Sequence, residues 1–225
     1  MAKLIRIDND YSTNRAPRLP ICFCIDNSSA VLNSTMSNIL DFLKMFSDYV
    51  IENSECHAKV QLCIVTYASK PKVVTDFKSV ETMEYNIEIQ KNEQPNLEAA
   101  LKKCIELING VRNIYKLESI SHYLPELFVL GSGESTSDIT EIAQRLNNAQ
   151  RENKLSVMPF KISENDSDVL SSLSYDNVVY TKTSDLPKVF ECLKGGLEML
   201  SASSASAVSS LKAQKVGWDQ FKEKR

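Results

Sequence analysis

The chain has 225 residues, with 26 Lys and Arg against 29 Asp and Glu, a formal net charge of −3 that excludes a generally basic, nucleic-acid-coating surface. Hydrophobic residues at 43% and charged residues at 24% are ordinary for a globular protein with a core. Glycine is scarce: about 16 would be usual and there are 6, too few for the clustered glycines of phosphate-cradling loops.

Residues 1–18 read as a polar lead-in, ending in Ala16-Pro17-Arg18 before the first strand. Ile21-Cys22-Phe23-Cys24-Ile25 is a continuous apolar run that stops at Asp26, as a strand buried on both faces would. After Asn27-Ser28-Ser29, Met36, Ile39, Leu40, Leu43, Phe46 and Val50 recur at helical spacing. Val60 to Tyr67 predicts a second core strand, and the more polar Lys72 to Phe77 an edge strand. Residues 79–95 resist assignment, apart from a brief extended piece at Asn86 to Ile89. Leu97, Ala100, Leu101, Cys104, Ile105 and Ile108 then mark one face of an amphipathic helix.

Leu127 to Leu130 predicts another core strand, closed by Gly131-Ser132-Gly133. A helix follows on Ile139, Ile142, Ala143, Leu146 and Ala149. Leu155 to Ile162 is the next strand, Val169 to Leu173 a short helix, Asn177 to Thr181 the last strand, and Leu186 to Leu200 the closing helix. This alternation predicts a doubly wound α/β domain over 19–200. Its central sheet is mainly parallel, with helices on both faces and one short antiparallel edge strand. Residues 201–225 read as a Ser/Ala-rich linker and charged tail that holds the only tryptophan, Trp218, expected to pack back on the domain.

No stretch approaches the roughly 18 apolar residues of a membrane span. Met1 to Ile7, broken by Arg6, lacks a cleavage site and does not read as a signal peptide. The 6 cysteines lie mostly in apolar runs or on helix stripes, as reduced core thiols do, so a cytoplasmic location is expected. Cys22 and Cys24 share a strand face without a second pair to complete a zinc site. Cys56-His57 is expected in a polar connection, with His57 and His122 solvated.

In open α/β sheets, sites gather beyond the carboxyl ends of the strands where strand order reverses. That rule nominates Asp26 to Ser29, the Gln94-Pro95-Asn96 turn and Gly131 to Glu134. The order of apolar strand, Asp-x-Ser, helix, strand, edge strand, Asn-Leu-x-x-Ala-Leu helix and strand with a Gly-rich end resembles a von Willebrand factor A domain. Leu19 to Asp26, Phe128 to Glu134 and Leu200 to Ser203 look most like the bacterial TerY-like branch, associated with tellurite resistance.

Most such domains carry a metal-ion-dependent adhesion site (MIDAS) built from an Asp-x-Ser-x-Ser turn, a Thr before the Asn-Leu helix and an Asp in a Thr-Asp-Gly turn. Hydroxyls, carboxylates and waters are the hard oxygen ligands that Mg²⁺ requires. Carried onto this sequence, Asp26 and Ser28 match. The other three positions hold Ala30, Pro95 and Ser132, none of which supplies the family's group. A degenerate site follows, with no metal and no cofactor expected. Asp26 and Ser28 read instead as caps of the following helix.

The resemblance thus implies a non-enzymatic, cytoplasmic protein-binding module, an adaptor or complex subunit of a bacterial stress-response system. Its protein partner would be met by an upper face around Asn27, Ser29, Pro95 and Ser132, without a bridging ion, nucleic acid or membrane. Two alternatives stand beside it. One is a Mg²⁺-dependent binder with a non-standard shell, Ser29 and Ser132 serving as substitute ligands. The other is a small-molecule or nucleotide enzyme on a Rossmann-like sheet, which the scarcity of glycine disfavours.

Overall fold

A computed structural model describes residues 11, 13–81, 85–163, 165–175, 178–202 and 218–221. Six strands form one sheet in the order β3-β2-β1-β4-β5-β6. They are β1 (Leu19–Asp26), β2 (Val60–Tyr67), β3 (Pro71–Ser79), β4 (Glu126–Gly131), β5 (Ser156–Lys161) and β6 (Val179–Tyr180). All neighbours run parallel except β2 and β3, which pair antiparallel with register shifts around Ile64. The fold is the predicted mainly parallel α/β sheet with one antiparallel edge.

The apolar run of β1 is continuous because both its faces are covered. Ile21, Phe23 and Ile25 point into a core shared with helices α1 (Asn33–Glu52) and α5 (Leu186–Ser201). Cys22 and Cys24 point the other way, toward α3 (Leu97–Leu117) and α4 (Thr140–Arg151). On the first face Phe23 stacks on Phe128 at 5.1 Å between ring centroids, while Phe42 and Phe46 of α1 meet it edge-on. Such ring pairs add about 0.5–1.5 kcal/mol each beyond burial.

On the second face Cys22 is in register with Cys63, and both belong with Cys24 and Cys104 to the same core. Hydrogen bonds to Cys104, and then burial, hold the Cys22 and Cys24 thiols well above the ordinary thiol value. The same hydrogen bonds, from Cys22 and Cys24, lower the Cys104 thiol to about 5, and none of the six cysteines forms a disulfide.

Three local expectations change. Cys56-His57 lies on a short helix, α2 (Ser54–Lys59), which Asn53 caps by accepting from the Cys56 N–H at 3.0 Å. Cys56 is buried, whereas His57 is exposed as expected, with Nε2 3.1 Å from the Val80 carbonyl oxygen, and His122 is half-buried with Nδ1 2.8 Å from that of Tyr123. The lead-in contributes Tyr11 to the core, edge-on to Tyr115 at 6.1 Å with Arg18 over its ring. The last strand is the two-residue β6, and Asn177 of its expected span lies outside the described residues.

Trp218 and Phe221, on a single 3₁₀ turn, are buried in the α1/α5 core, with Trp218 edge-on to Phe160 at 6.3 Å. That placement makes Trp218 an anchor on its own domain, as expected. Residues 1–10 of the expected lead-in, and 203–217 and 222–225 of the linker and tail, lie outside the described residues.

Candidate functional site

The chain leaves β1 for β2 and β3 on one side, then returns to place β4, β5 and β6 on the other. Strand order therefore reverses between β1 and β4, whose carboxyl ends are Asp26 and Gly131. The loop after β1, the loop before α3 and the loop after β4 all meet there.

Asp26 is fully buried, and the chain supplies three donors to its carboxylate. Oδ1 accepts the Ser28 N–H at 2.9 Å, and Oδ2 accepts the Ser132 hydroxyl at 2.8 Å and the Ser132 N–H at 3.3 Å. Hydrogen bonds to an ionised carboxylate are among the strong ones, which makes a buried Asp affordable here. The Ser28 hydroxyl accepts the Ala30 N–H at 3.3 Å, and the Ser132 hydroxyl accepts the Glu134 N–H at the same distance.

A helix-capping role for Asp26 and Ser28 is not what the structure shows. Helix α1 starts at Asn33, with Leu32 at the N-cap position and no side-chain cap bond. Four residues of loop separate Ser28 from the helix, so its hydroxyl serves the loop's own turn.

The middle loop is stitched to the first. Asn27 donates its N–H to the Tyr67 carbonyl at 2.9 Å and its side-chain amide to the Glu88 carbonyl at 2.8 Å. Its own carbonyl accepts the Gln90 N–H at 2.7 Å. Ser29 donates through both N–H (2.9 Å) and hydroxyl (3.0 Å) to the Glu93 carbonyl, and accepts from the Gln94 amide at 3.1 Å. The Glu93 carboxylate accepts from the Ser69 hydroxyl and N–H, which hold its pKa below the usual carboxylate range. The Pro95 carbonyl accepts the Thr136 N–H at 2.8 Å and hydroxyl at 3.0 Å, joining the middle loop to the third.

Two close approaches finish the site. A Cβ on Gly131 would lie 2.6 Å from the Tyr67 hydroxyl, so glycine is required for the Tyr67 side chain to reach over the strand end beside Asp26. Burial, with Asp26 nearby, holds the Tyr67 phenol well above its ordinary pKa. Gly133 has φ +88°, and a Cβ there would stand 2.3 Å from the Ser167 carbonyl oxygen.

The structure thus gathers Asp26, Asn27, Ser28, Ser29, Pro95 and Ser132 at one end of the sheet. It does not offer them all to a partner. Asn27, Pro95 and Ser132 are buried and spend their polar groups internally, so of the four expected contact residues Ser29 alone is exposed. The accessible surface lies around them, on Ser29, Gln94, Thr136 and Asp138 and on Leu32, which is 70% exposed. Leu32 and Tyr67 escaped the sequence reading. The available signal for Tyr67 was register, since it ends β2 as Asp26 ends β1 and the two are paired.

The donor set is a poor fit to a Mg²⁺ shell. One carboxylate faces hydroxyls already engaged with backbone N–H groups.

The von Willebrand factor type A domain matches residues 21–191, three quarters of the chain. The chain belongs to that family. VWA domains commonly serve as protein-interaction modules, and among the described residues no helix is long and apolar enough to cross a membrane.

Solved VWA-like structures agree on the fold. Proximal thread matrix protein 1 from the mussel byssus superposes with a TM-score of 0.59 at 12% identity, over 82% of this chain and 48% of that one. A form of the same protein with a zinc-occupied MIDAS motif gives 0.57 at 14% identity, over 81% and 48%. The ArnB paralog VWA2 from Sulfolobus acidocaldarius gives 0.50 at 14% identity, over 80% and 46%. The chain spans about half the length of these proteins. No curated protein matches it in sequence.

Proposed function

We propose that this VWA domain is a non-enzymatic, cytoplasmic protein-binding module that works without a metal ion. The observation that carries the reading is the Asp26–Ser132 hydrogen bond at 2.8 Å, in which the chain's own hydroxyl engages the carboxylate that would otherwise face an ion. The loops so fixed present an exposed Leu32 beside the polar groups of Ser29 and Gln94. An apolar side chain amid oriented hydrogen-bonding groups suits a protein surface. The likeness of Leu19 to Asp26 and Phe128 to Glu134 to the TerY-like branch supports a role as adaptor or subunit in a bacterial stress-response complex. Five buried cysteines outside any disulfide accord with a reducing compartment.

The test is affinity capture on the wild-type domain and on Leu32→Asp, each in EDTA and in millimolar Mg²⁺, with thermal melts alongside. The proposal expects one protein retained equally in both buffers and lost on Leu32→Asp, whose melt is unchanged. Retention only with Mg²⁺, or a saturable Mg²⁺-induced rise in melting temperature, would overturn it.

A further inference from the structure

We propose a second docking surface, remote from the strand ends: the groove between α3 and α4, shaped for a protein segment that carries aliphatic side chains beside carboxylates. The groove encloses about 280 Å³. Its floor is apolar, formed by Ile108, Leu146, Ala149 and Leu155. Its rim carries three cations, Arg112, Arg145 and Lys154, against one carboxylate, Glu152. That carboxylate is already paired with Lys154 at 2.5 Å, in an exposed contact.

The two arginines are the informative members. Among the described residues neither has a salt bridge, and the Arg112 Nε is buried without a hydrogen-bond partner. A guanidinium donor left without a partner is an unfavourable arrangement that a carboxylate docked on the same group would relieve. Guanidinium groups take carboxylates bidentately, and an apolar floor between them gives specificity that a bare cationic patch lacks. Lys102 of α3 is paired with Glu98 at 2.6 Å and also feels Glu141 and Arg145 of α4. On a chain of net charge −3, this concentration of positive charge over apolar floor selects an acidic, aliphatic segment.

Three fluorescently labelled helical peptides test the proposal on the full chain by anisotropy. One carries Leu and Glu, one Leu and Lys, and one Ala and Glu, at matched positions. The Leu/Glu peptide alone is expected to bind, with amide shifts in nuclear magnetic resonance spectra at Ile108, Arg112, Arg145 and Leu155. Arg145→Glu, on an exposed helix position, should melt like wild type, bind Leu/Glu roughly tenfold more weakly and acquire affinity for Leu/Lys. Arg112→Ala should weaken Leu/Glu likewise. No binding, equal binding of Ala/Glu, shifts confined to the loops around Asp26, or indifference to Arg145→Glu would each overturn the proposal.

Discussion

Ser132 Oγ stands 2.8 Å from Asp26 Oδ2, and the Ser132 N–H reaches the same oxygen at 3.3 Å, so one serine closes the gap between two adjacent parallel strands. The contact is fully buried on both sides. Ser132→Ala removes one of three donors to a buried carboxylate and is expected to cost about 1.5–3 kcal/mol, read as a lower urea midpoint with unchanged slope. A midpoint equal to wild type would show that the bond is not holding the strand ends together.

Restoring the family's oxygen ligands should convert the site. In the triple variant Ala30→Ser, Pro95→Thr, Ser132→Asp, two buried carboxylates face each other where one serine bond stood. We expect this variant to melt below wild type in EDTA, through like-charge repulsion, and to recover on adding millimolar Mg²⁺. Wild type should show no such response. A folded triple variant indifferent to Mg²⁺ would mean that the loops, stitched by Asn27, Ser29 and Pro95, no longer hold ligand geometry.

Trp218 gives a test of the tail's attachment. Trp218→Ala empties a buried position against Phe160 and is expected to destabilise the domain by about 3 kcal/mol. Because the chain has one tryptophan, native emission should be blue-shifted and should move red in a single step with unfolding. Water-exposed emission from the native protein would contradict the packing.

Alkaline pH should weaken the fold through Tyr67 and Tyr115, whose pKa values burial raises well above the ordinary phenol. Unfolded tyrosine titrates near about 10. Below that pH both states keep the proton and the stability is fully present. Above it the unfolded state releases protons that the folded state retains, so stability falls as pH rises, by up to about 1.4 kcal/mol per pH unit for each tyrosine. Urea titrations across this range check the slope, which Tyr67→Phe should reduce.

The sheet was legible because burial on both faces writes itself as near-continuous apolar runs, at Ile21 to Ile25, Val60 to Tyr67 and Leu127 to Leu130. The long helices α1, α3 and α5 were legible from their stripes. Helix α2 was not, since six residues are under two turns and show no period. At the site, the positions of Asp26 and Ser132 followed from strand order. Their burial did not, because a serine reads as polar whether it faces water or a carboxylate across the sheet. The role of Ser28 was misread for a related reason: Asp-x-Ser before a helix looks like a cap, and only the four-residue delay before Asn33 shows otherwise.

The Gly133 turn has a bearing on how this surface could change over time. With φ at +88° and the Ser167 carbonyl occupying the place of a side chain, no other residue fits without displacing the facing loop. On the opposite flank, Leu32 is exposed and α1 begins there without a side-chain cap, so substitution at Leu32 disturbs the fold little. Duplicated copies of this domain would therefore acquire new specificities along one flank only, drifting at the exposed Leu32, Lys91 and Asn92 while the Gly133 turn stays fixed as the wall against which each new partner is fitted.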